Sequence, residues 1–148
     1  MGNETNIKKL ESGRAEFAYE CVLAAKEKAF AKDYKSYVKK IPPLIQTNGL
    51  GNTLAFIVSK SKHNNPQEKD NAYDLIYEQL SKWLRSGDGT CALLPSGEDL
   101  LKFAIKQLSP VYRQITTETL AFMTWLKRLA DGLIEGEADG KQRYSNHS

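Results

Sequence analysis

The side chains best suited to nucleophilic or metal chemistry are two cysteines and two histidines, and their spacing does not build a site. Cys21 and Cys91 lie far apart, without the Cys-x-x-Cys spacing of a zinc or redox site. His63 lies in a polar segment and His147 lies near the C-terminal end. We expect both cysteines to be buried as small hydrophobic residues. The sequence therefore predicts no catalytic residue, no metal ligand and no cofactor.

One glycine pair invites comparison with a phosphate-binding loop. The Gly49-Leu50-Gly51 turn lacks the Gly-x-x-x-x-Gly-Lys-[Ser/Thr] spacing, and no predicted strand precedes it. We therefore expect no nucleotide site and no small-molecule substrate.

Cationic side chains are the remaining candidates, because they bind phosphate groups. The formal net charge is +3, but residues 32–65 carry six lysines against one acid, a local charge of +5. Lys39 and Lys40, the following Thr47-Asn48-Gly49 turn and Lys60 could form a basic stripe with backbone N–H groups nearby. Such a stripe suits binding that does not read base sequence. The alternative is a set of solvated lysines on helix faces.

Two arginines occupy helix positions that are unfavourable for a cation. Arg14 falls on an apolar stripe between Leu10 and Phe17. Arg113 lies near the start of a predicted helix, where the helix dipole disfavours a cation. Both are therefore candidate contacts for phosphate groups. For Arg14 the alternative is a guanidinium that reaches from the edge of the stripe or pairs with an acid in the core.

Lys127 and Arg128 form a further basic pair in the last predicted helix, beside a stripe of apolar residues. They are candidate phosphate contacts as well. The alternative is that they serve the helix itself, through its dipole and the nearby acids Asp131 and Glu135. Aromatic residues at helical spacing are expected in the core, although exposed rings can also stack on bases.

The apolar pattern predicts an all-α protein with a single domain. The length of 148 residues fits one hydrophobic core, and 41% hydrophobic with 26% charged residues is typical of a globular chain. No apolar run is long enough to span a bilayer, and the N-terminus lacks the apolar region of a secretory signal. We therefore expect a cytoplasmic protein without a membrane partner.

Helical spacing and punctuation predict a bundle of about five to six helices over residues 1–136 and a disordered tail over residues 137–148. The first helix is expected over about Asn6 to Ala31, and Asp33 is expected to cap the second. That helix should end or restart with a kink at Pro42. Later segments are expected as follows: a third helix from Leu50, a loop over Ser61 to Gln67, a helix over Glu68 to Arg85 stopped by Gly87-Asp88-Gly89, a cap within Ser96 to Asp99, and a last helix from Ser109-Pro110 to Ile134.

Three segments together carry a family resemblance. They are RAEFAYECV at residues 14–22, YKSYVKKIPPLIQTNGLGNTLAFI at 34–57 and TTETLAFMTWLKRLADGLIEGE at 116–137. In this order they resemble the small subunits of the type III-B CRISPR-Cas (Cmr) RNA-guided effector complex. The resemblance covers most of the chain between Leu10 and Glu137.

The resemblance implies a small helical bundle without an active site, present in several copies that stack along the complex. Its implied partners are the other Cmr subunits, copies of itself, the CRISPR guide RNA and the target RNA. Guide and target pair with each other, so the protein would contact backbone and shape. Two rival functions remain: a helical protein-protein adaptor without RNA contact, and a small DNA-binding helical protein.

Overall fold

The computed structural model describes residues 2–61, 71–86 and 91–136, with side chains described from residue 8 onward. These ranges contain six α-helices and no strand, which confirms the all-α prediction. The polar loop after Ser61, the Gly87-Asp88-Gly89 stop and the 137–148 tail lie outside the described residues. No helix in the described ranges is long and apolar enough to cross a membrane. The helices are α1 Gly2–Lys26, α2 Ala31–Asn48, α3 Leu50–Ser59, α4 Ala72–Arg85, α5 Leu100–Ile105 and α6 Ser109–Leu133.

Helix α6 lies at the centre of the bundle, where it packs against both α1 and α2. Near the start of α2, the Lys35 ammonium donates a hydrogen bond to the carbonyl oxygen of Ile134, at 2.8 Å. Just after the end of α2, the Gly51 N–H donates to the Tyr112 hydroxyl oxygen, also at 2.8 Å. Helices α2 and α6 therefore run antiparallel.

The two prolines of α2 do not end that helix, so the expected end or restart at Pro42 is wrong. Pro42 and Pro43 both lie inside the continuous helix Ala31–Asn48. A proline in a helix interior costs roughly 3 kcal/mol because it removes a hydrogen bond and crowds the preceding turn. Ile41 and Ile45, on the two sides of the prolines, are both buried. Each contributes about 1.5–3 kcal/mol by burial, which offsets the cost only if the helix keeps both on one face.

The break between α2 and α3 is a single residue, Gly49, with φ at +87°. A side chain at that φ would be strained, so glycine fits this position. The turn predicted around Thr47 to Gly51 is thus confirmed but shorter than expected, because Gly51 already belongs to α3.

Several predicted helix boundaries are wrong by a few residues. Helix α1 ends at Lys26 rather than near Ala31, and α2 begins after Phe30, so Asp33 is not the cap. Asp33 instead lies in the first turn of α2, where the helix dipole also favours an acid. The cap of α5 is Asp99, whose carboxylate accepts a hydrogen bond from the Lys102 N–H at 3.1 Å.

Helices α4 and α6 also begin at different residues than expected. Helix α4 starts at Ala72 rather than Glu68, because Asn71 and Asp74 form a reciprocal capping box. In α6 the first helical residue is Ser109 and the residue before it is Leu108, so Ser109 is not the cap. Pro110 nevertheless lies in the first turn, as expected.

Candidate nucleic-acid interface

Three aromatic rings from three helices meet on one side of the bundle. Tyr37 of α2 stacks on Tyr73 of α4 with ring centroids 4.0 Å apart and an interplanar angle of 11°. Phe56 of α3 meets the Tyr73 ring edge-on, at 5.8 Å. The contacts arise because α2 packs on both α3 and α4. Tyr73 is buried, whereas Tyr37 and Phe56 remain half-buried.

Two of the predicted lysines lie over these rings. The Lys40 Nζ is 4.9 Å from the ring centroid of Tyr37 and 5.6 Å from those of Phe56 and Tyr73. The Lys60 Nζ is 5.7 Å from the Phe56 centroid. An exposed cation-π contact contributes roughly 0.5–1 kcal/mol. We call this set, Tyr37, Lys40, Phe56, Lys60 and Tyr73, the lysine–aromatic surface.

Both lysine side chains of the lysine–aromatic surface are exposed to solvent. Within the described ranges, no carboxylate forms an ion pair with Lys40 or Lys60. Burial raises the pKa of the Tyr37 phenol above its usual value; Asp33 and Tyr73 add to this, and Lys40 opposes it. The phenol therefore stays protonated at neutral pH and can donate a hydrogen bond. Two cations and a hydroxyl donor suit an anionic phosphate group.

The turn beside this surface offers fewer N–H groups than the sequence suggested. The Gly49 N–H already donates to the Ile45 carbonyl oxygen and the Gly51 N–H to the Tyr112 hydroxyl, both at 2.8 Å. A depression of about 310 Å³ nevertheless opens next to Phe56. Two exposed amides, Asn48 and Asn52, line it and supply polar groups.

Lys39 lies at the seam between α2 and α6. Its Nζ is 3.7 Å from Oδ1 of Asp131, and both side chains are more than two-fifths exposed. Such an exposed pair contributes at most about 1 kcal/mol. Lys127 and Arg128 lie one turn before Asp131 on α6, Lys127 half-buried and Arg128 exposed. Of these three predicted cations, Lys39 pairs with Asp131, and Lys127 and Arg128 lie within one helical turn of it.

Arg14 has a partner in the core. Its Nε and Nη2 donate to the two carboxylate oxygens of Glu118, each at 2.7 Å. The Trp83 indole N–H donates to the same carboxylate at 2.8 Å. The hydrogen bonds to Glu118 raise the pKa of Arg14, with desolvation opposing. This confirms the interpretation of Arg14 as a guanidinium that pairs with a core acid; we call Arg14 and Glu118 the buried ion pair.

Arg113 is exposed and lines a depression of about 920 Å³ to which Arg14 also contributes. The two arginines that helix physics left unexplained thus lie at one concave surface. Arg113 and Lys127 lie at opposite ends of α6, about 21 Å apart at 1.5 Å of rise per residue. The seven predicted cations therefore do not form one patch: Arg14 and Arg113 are separate from the other five.

Two residues that shape these surfaces were missed in the sequence. Phe56 carries Lys60, and its position four residues earlier is the spacing that makes helix neighbours. That signal was available. Glu118 was not recognised as the partner of Arg14, because the two residues lie 104 positions apart. No local spacing could have revealed that pair.

The described residues hold no group of three His, Cys, Asp or Glu side chains placed to bind a metal ion. Cys21 and Cys91 are both buried, as expected. Burial raises the pKa of the Cys21 thiol to about 12 and that of Cys91 to about 11. Both thiols are therefore protonated and weakly reactive at neutral pH.

The helices and the lysine–aromatic surface define a class of protein. It is a small all-helical protein that presents cations and aromatic rings together. Comparison with known proteins gives the family. The model of the CRISPR-associated protein family Cas_Cmr5 matches residues 10–133, and the chain belongs to that family. This confirms the resemblance to Cmr small subunits.

Two relatives come from Thermus thermophilus. The curated protein "CRISPR system Cmr subunit Cmr5" is 30% identical over 121 residues, which cover 82% of this chain and 92% of that protein. An X-ray crystal structure of a CRISPR-associated Cmr5 family protein superposes with a TM-score of 0.65 at 26% identity. That match covers 85% of this chain and 97% of the other. The likeness therefore extends over nearly the whole of both relatives.

Proposed function

We propose that this chain is a non-catalytic small subunit of a type III-B CRISPR RNA-guided effector complex in the cytoplasm. Several copies stack beside the other Cmr subunits and contact the backbone of guide and target RNA during antiviral defence. Family membership supports the assignment to the complex. The observation that carries RNA contact is the lysine–aromatic surface, where Lys40 and Lys60 stand over rings without a paired carboxylate among the described residues.

The rings give Lys40 an advantage over a freely moving surface lysine. Fixing a lysine side chain costs roughly 1.5–2 kcal/mol of conformational entropy. Because Lys40 already lies over three rings, part of that cost is met before RNA arrives. An ammonium held in place contacts a phosphate oxygen but reads no base edge. This suits a subunit that must accept every guide sequence.

The cations at the α2–α6 seam extend this surface in the proposal. The Lys39–Asp131 pair is long and exposed, so a phosphate can replace the carboxylate at low cost. Lys127 and Arg128 then add charge along α6. Arg113 and Arg14 form a separate proposed contact at their shared depression. There Arg113 is the exposed member, and Arg14 contributes mainly through the buried ion pair.

The test is a double substitution in the assembled complex. We expect Lys39→Ala with Lys40→Ala to leave the helical fold intact and to weaken target-RNA binding. Because each lost phosphate contact reduces the slope of log affinity against log salt by about 0.7–0.9, the slope should also become shallower. Affinity is measured by filter binding or polarisation across a series of salt concentrations.

Lys26→Ala with Lys28→Ala is the matched control, since it removes two exposed lysines from the end of α1 and the turn after it. It should leave affinity and slope unchanged. Equal behaviour of the two variants would contradict the RNA interface and favour an adaptor without RNA contact. Tighter binding to a DNA duplex than to an RNA duplex would favour the DNA-binding rival.

A further inference from the structure

Large apolar side chains are exposed at two separate places among the described residues. Ile105, Leu108 and Val111 follow one another at a spacing of three across the junction of α5 and α6, with exposed fractions of 63%, 81% and 37%. Tyr19 lies on α1 and is 44% exposed. Single exposed apolar side chains are normal on a protein surface, whereas several that lie close together mark surfaces that bind other proteins. We call the first set the apolar ridge.

The charges beside the ridge are basic. Lys102 and Lys106 lie three residues before and one residue after Ile105, so all three share one face of the α5 turn. All three side chains are exposed. Within the described part of the chain, neither lysine ammonium has an ion-pair partner. This face presents a base, an aliphatic side chain and a base at positions i, i+3 and i+4.

The surface around Tyr19 has the same spacing and the opposite charge. Glu16 and Glu20 lie three residues before and one residue after Tyr19, so the three share one face of α1. Each is exposed, and neither carboxylate forms an ion pair with a described residue. The face presents an acid, an aromatic side chain and an acid at i, i+3 and i+4.

We infer that the ridge of one copy of this chain docks on the Tyr19 face of the next copy. The inference rests on the stacking of copies in the proposed function and adds the surfaces that make the contact. Ile105 and Tyr19 meet at the centre, Lys102 and Lys106 lie against Glu16 and Glu20, and Leu108 extends the apolar contact.

The charges disfavour contact between two like surfaces. If the ridge met a second ridge, lysines would face lysines; if the Tyr19 face met itself, glutamates would face glutamates. The contact therefore joins the ridge of one copy to the Tyr19 face of another. Helix α5 packs on α3 and α6, whereas α1 packs on α6, α4 and α2, so the two surfaces lie on different parts of the bundle. If one copy uses the two surfaces with two different neighbours, repetition produces an open stack, whereas two copies that use both surfaces with each other form a closed dimer.

Cysteine crosslinking in the assembled complex tests the contact. The variant with Tyr19→Cys and Ile105→Cys together should yield a ladder of dimers, trimers and larger species with a short bismaleimide reagent. The native Cys21 and Cys91 are buried and contribute little background. Either single variant should give monomer, because each contact between a ridge and a Tyr19 face then holds one engineered thiol.

Three outcomes would overturn the inference: no ladder from the double variant, dimers from a single variant, or an equal ladder from the control. The control pairs Ile105→Cys with Ser36→Cys, which places the second thiol on an exposed position of α2. RNA binding and retention in the complex are measured on the same uncrosslinked samples. Normal retention and RNA binding without a ladder would contradict the contact alone. If the chain is not retained, the proposed function fails, and crosslinking of the isolated chain at high concentration decides the contact.

Charge reversal provides a second test that does not depend on thiol geometry. Glu16→Lys with Glu20→Lys should reduce crosslinking in the Tyr19→Cys and Ile105→Cys background at least fivefold. Adding Lys102→Glu with Lys106→Glu should restore it, because the attraction returns with its sign exchanged. A lack of rescue, with all variants folded by circular dichroism, would contradict the charge pairing.

Discussion

The buried ion pair and the lysine–aromatic surface use similar side chains for different purposes. Around the buried ion pair, Trp83 stacks on Phe122 with centroids 5.5 Å apart at 8°, and Trp83 donates to Glu118. At the surface, Tyr37 and Tyr73 stack in a comparable way at 4.0 Å and 11°, and Lys40 lies over them. In both places a cation lies near stacked rings.

The difference between the two regions is the carboxylate. The partly buried guanidinium of Arg14 requires Glu118, because a charge withdrawn from water without a partner is costly. Lys40 is exposed to water, so the rings can hold it without a carboxylate. Arg14 is therefore committed to the fold, and Lys40 remains able to bind an external anion. The variants below can break or sharpen this contrast.

The largest change, a loss of folding stability, is expected from Glu118→Ala. It leaves Arg14 as an unpaired cation and removes the acceptor of the Trp83 indole N–H. Breaking a buried pair by removing one partner typically lowers the free energy of unfolding by about 3–5 kcal/mol. Urea unfolding followed by circular dichroism measures this change.

Glu78→Ala is the matched control, since it removes an exposed glutamate from α4. It should change the free energy of unfolding by no more than about 0.5 kcal/mol. A loss below about 1 kcal/mol for Glu118→Ala would mean that the carboxylate does not stabilise the core.

Replacing arginine by lysine in the ion pair, and lysine by arginine at the surface, should change the free energy of unfolding by an intermediate amount. Arg14→Lys keeps the charge but cannot reproduce the two parallel hydrogen bonds to Glu118. We expect a loss of about 1.5–3 kcal/mol in the free energy of unfolding, the usual contribution of a charged hydrogen bond. Lys40→Arg should leave both stability and RNA affinity nearly unchanged, because a guanidinium also lies well over aromatic rings. If urea unfolding showed equal losses of stability in Arg14→Lys and Lys40→Arg, the proposed difference between the two regions would be contradicted.

The helices were readable from the sequence because their apolar residues recur with helical period, and the Gly49 break was readable because a glycine tolerates positive φ. The continuity of α2 was not. Helix propensity gives the loss of stability that Pro42 causes in a helix interior. It does not give the gain from burying Ile41 and Ile45, because that burial depends on where α2 packs. The cap of α2 at Phe30 was missed for a related reason, since no side chain there makes a capping hydrogen bond.

The candidate site was predicted in its residue types but not in its grouping. Lys40 and Lys60 were both candidates, yet their common contact with Phe56 depends on how α2 and α3 pack across the Gly49 break. Arg14 was recognised as unusual, and its acid partner comes from the far end of the chain. Sequence patterns locate charges on helices, whereas tertiary packing decides which of them remain available.

The smallest effect, and the most specific test of the surface region, is expected from Phe56→Leu. This change removes the ring under Lys40 and Lys60 without altering any charge. The freed lysine side chains must then be ordered on binding, which costs part of their roughly 1.5–2 kcal/mol of conformational entropy, so RNA affinity of the assembled complex should fall about two- to fivefold. The slope of log affinity against log salt should stay the same, because the number of phosphates neutralised is unchanged.

Comparing the variants separates the effect of holding Lys40 in place from the effect of its charge on RNA binding. Removal of Lys40 should lower both affinity and salt slope, whereas Phe56→Leu should lower affinity alone. Phe30→Leu, at another half-buried phenylalanine, controls for general loss of packing and should leave RNA binding intact. If Phe56→Leu left affinity unchanged while the lysine variants weakened it, the rings would serve packing only. Lys40 would then bind as an ordinary mobile surface lysine, and the preorganisation that distinguishes this region from a solvated helix face would be absent.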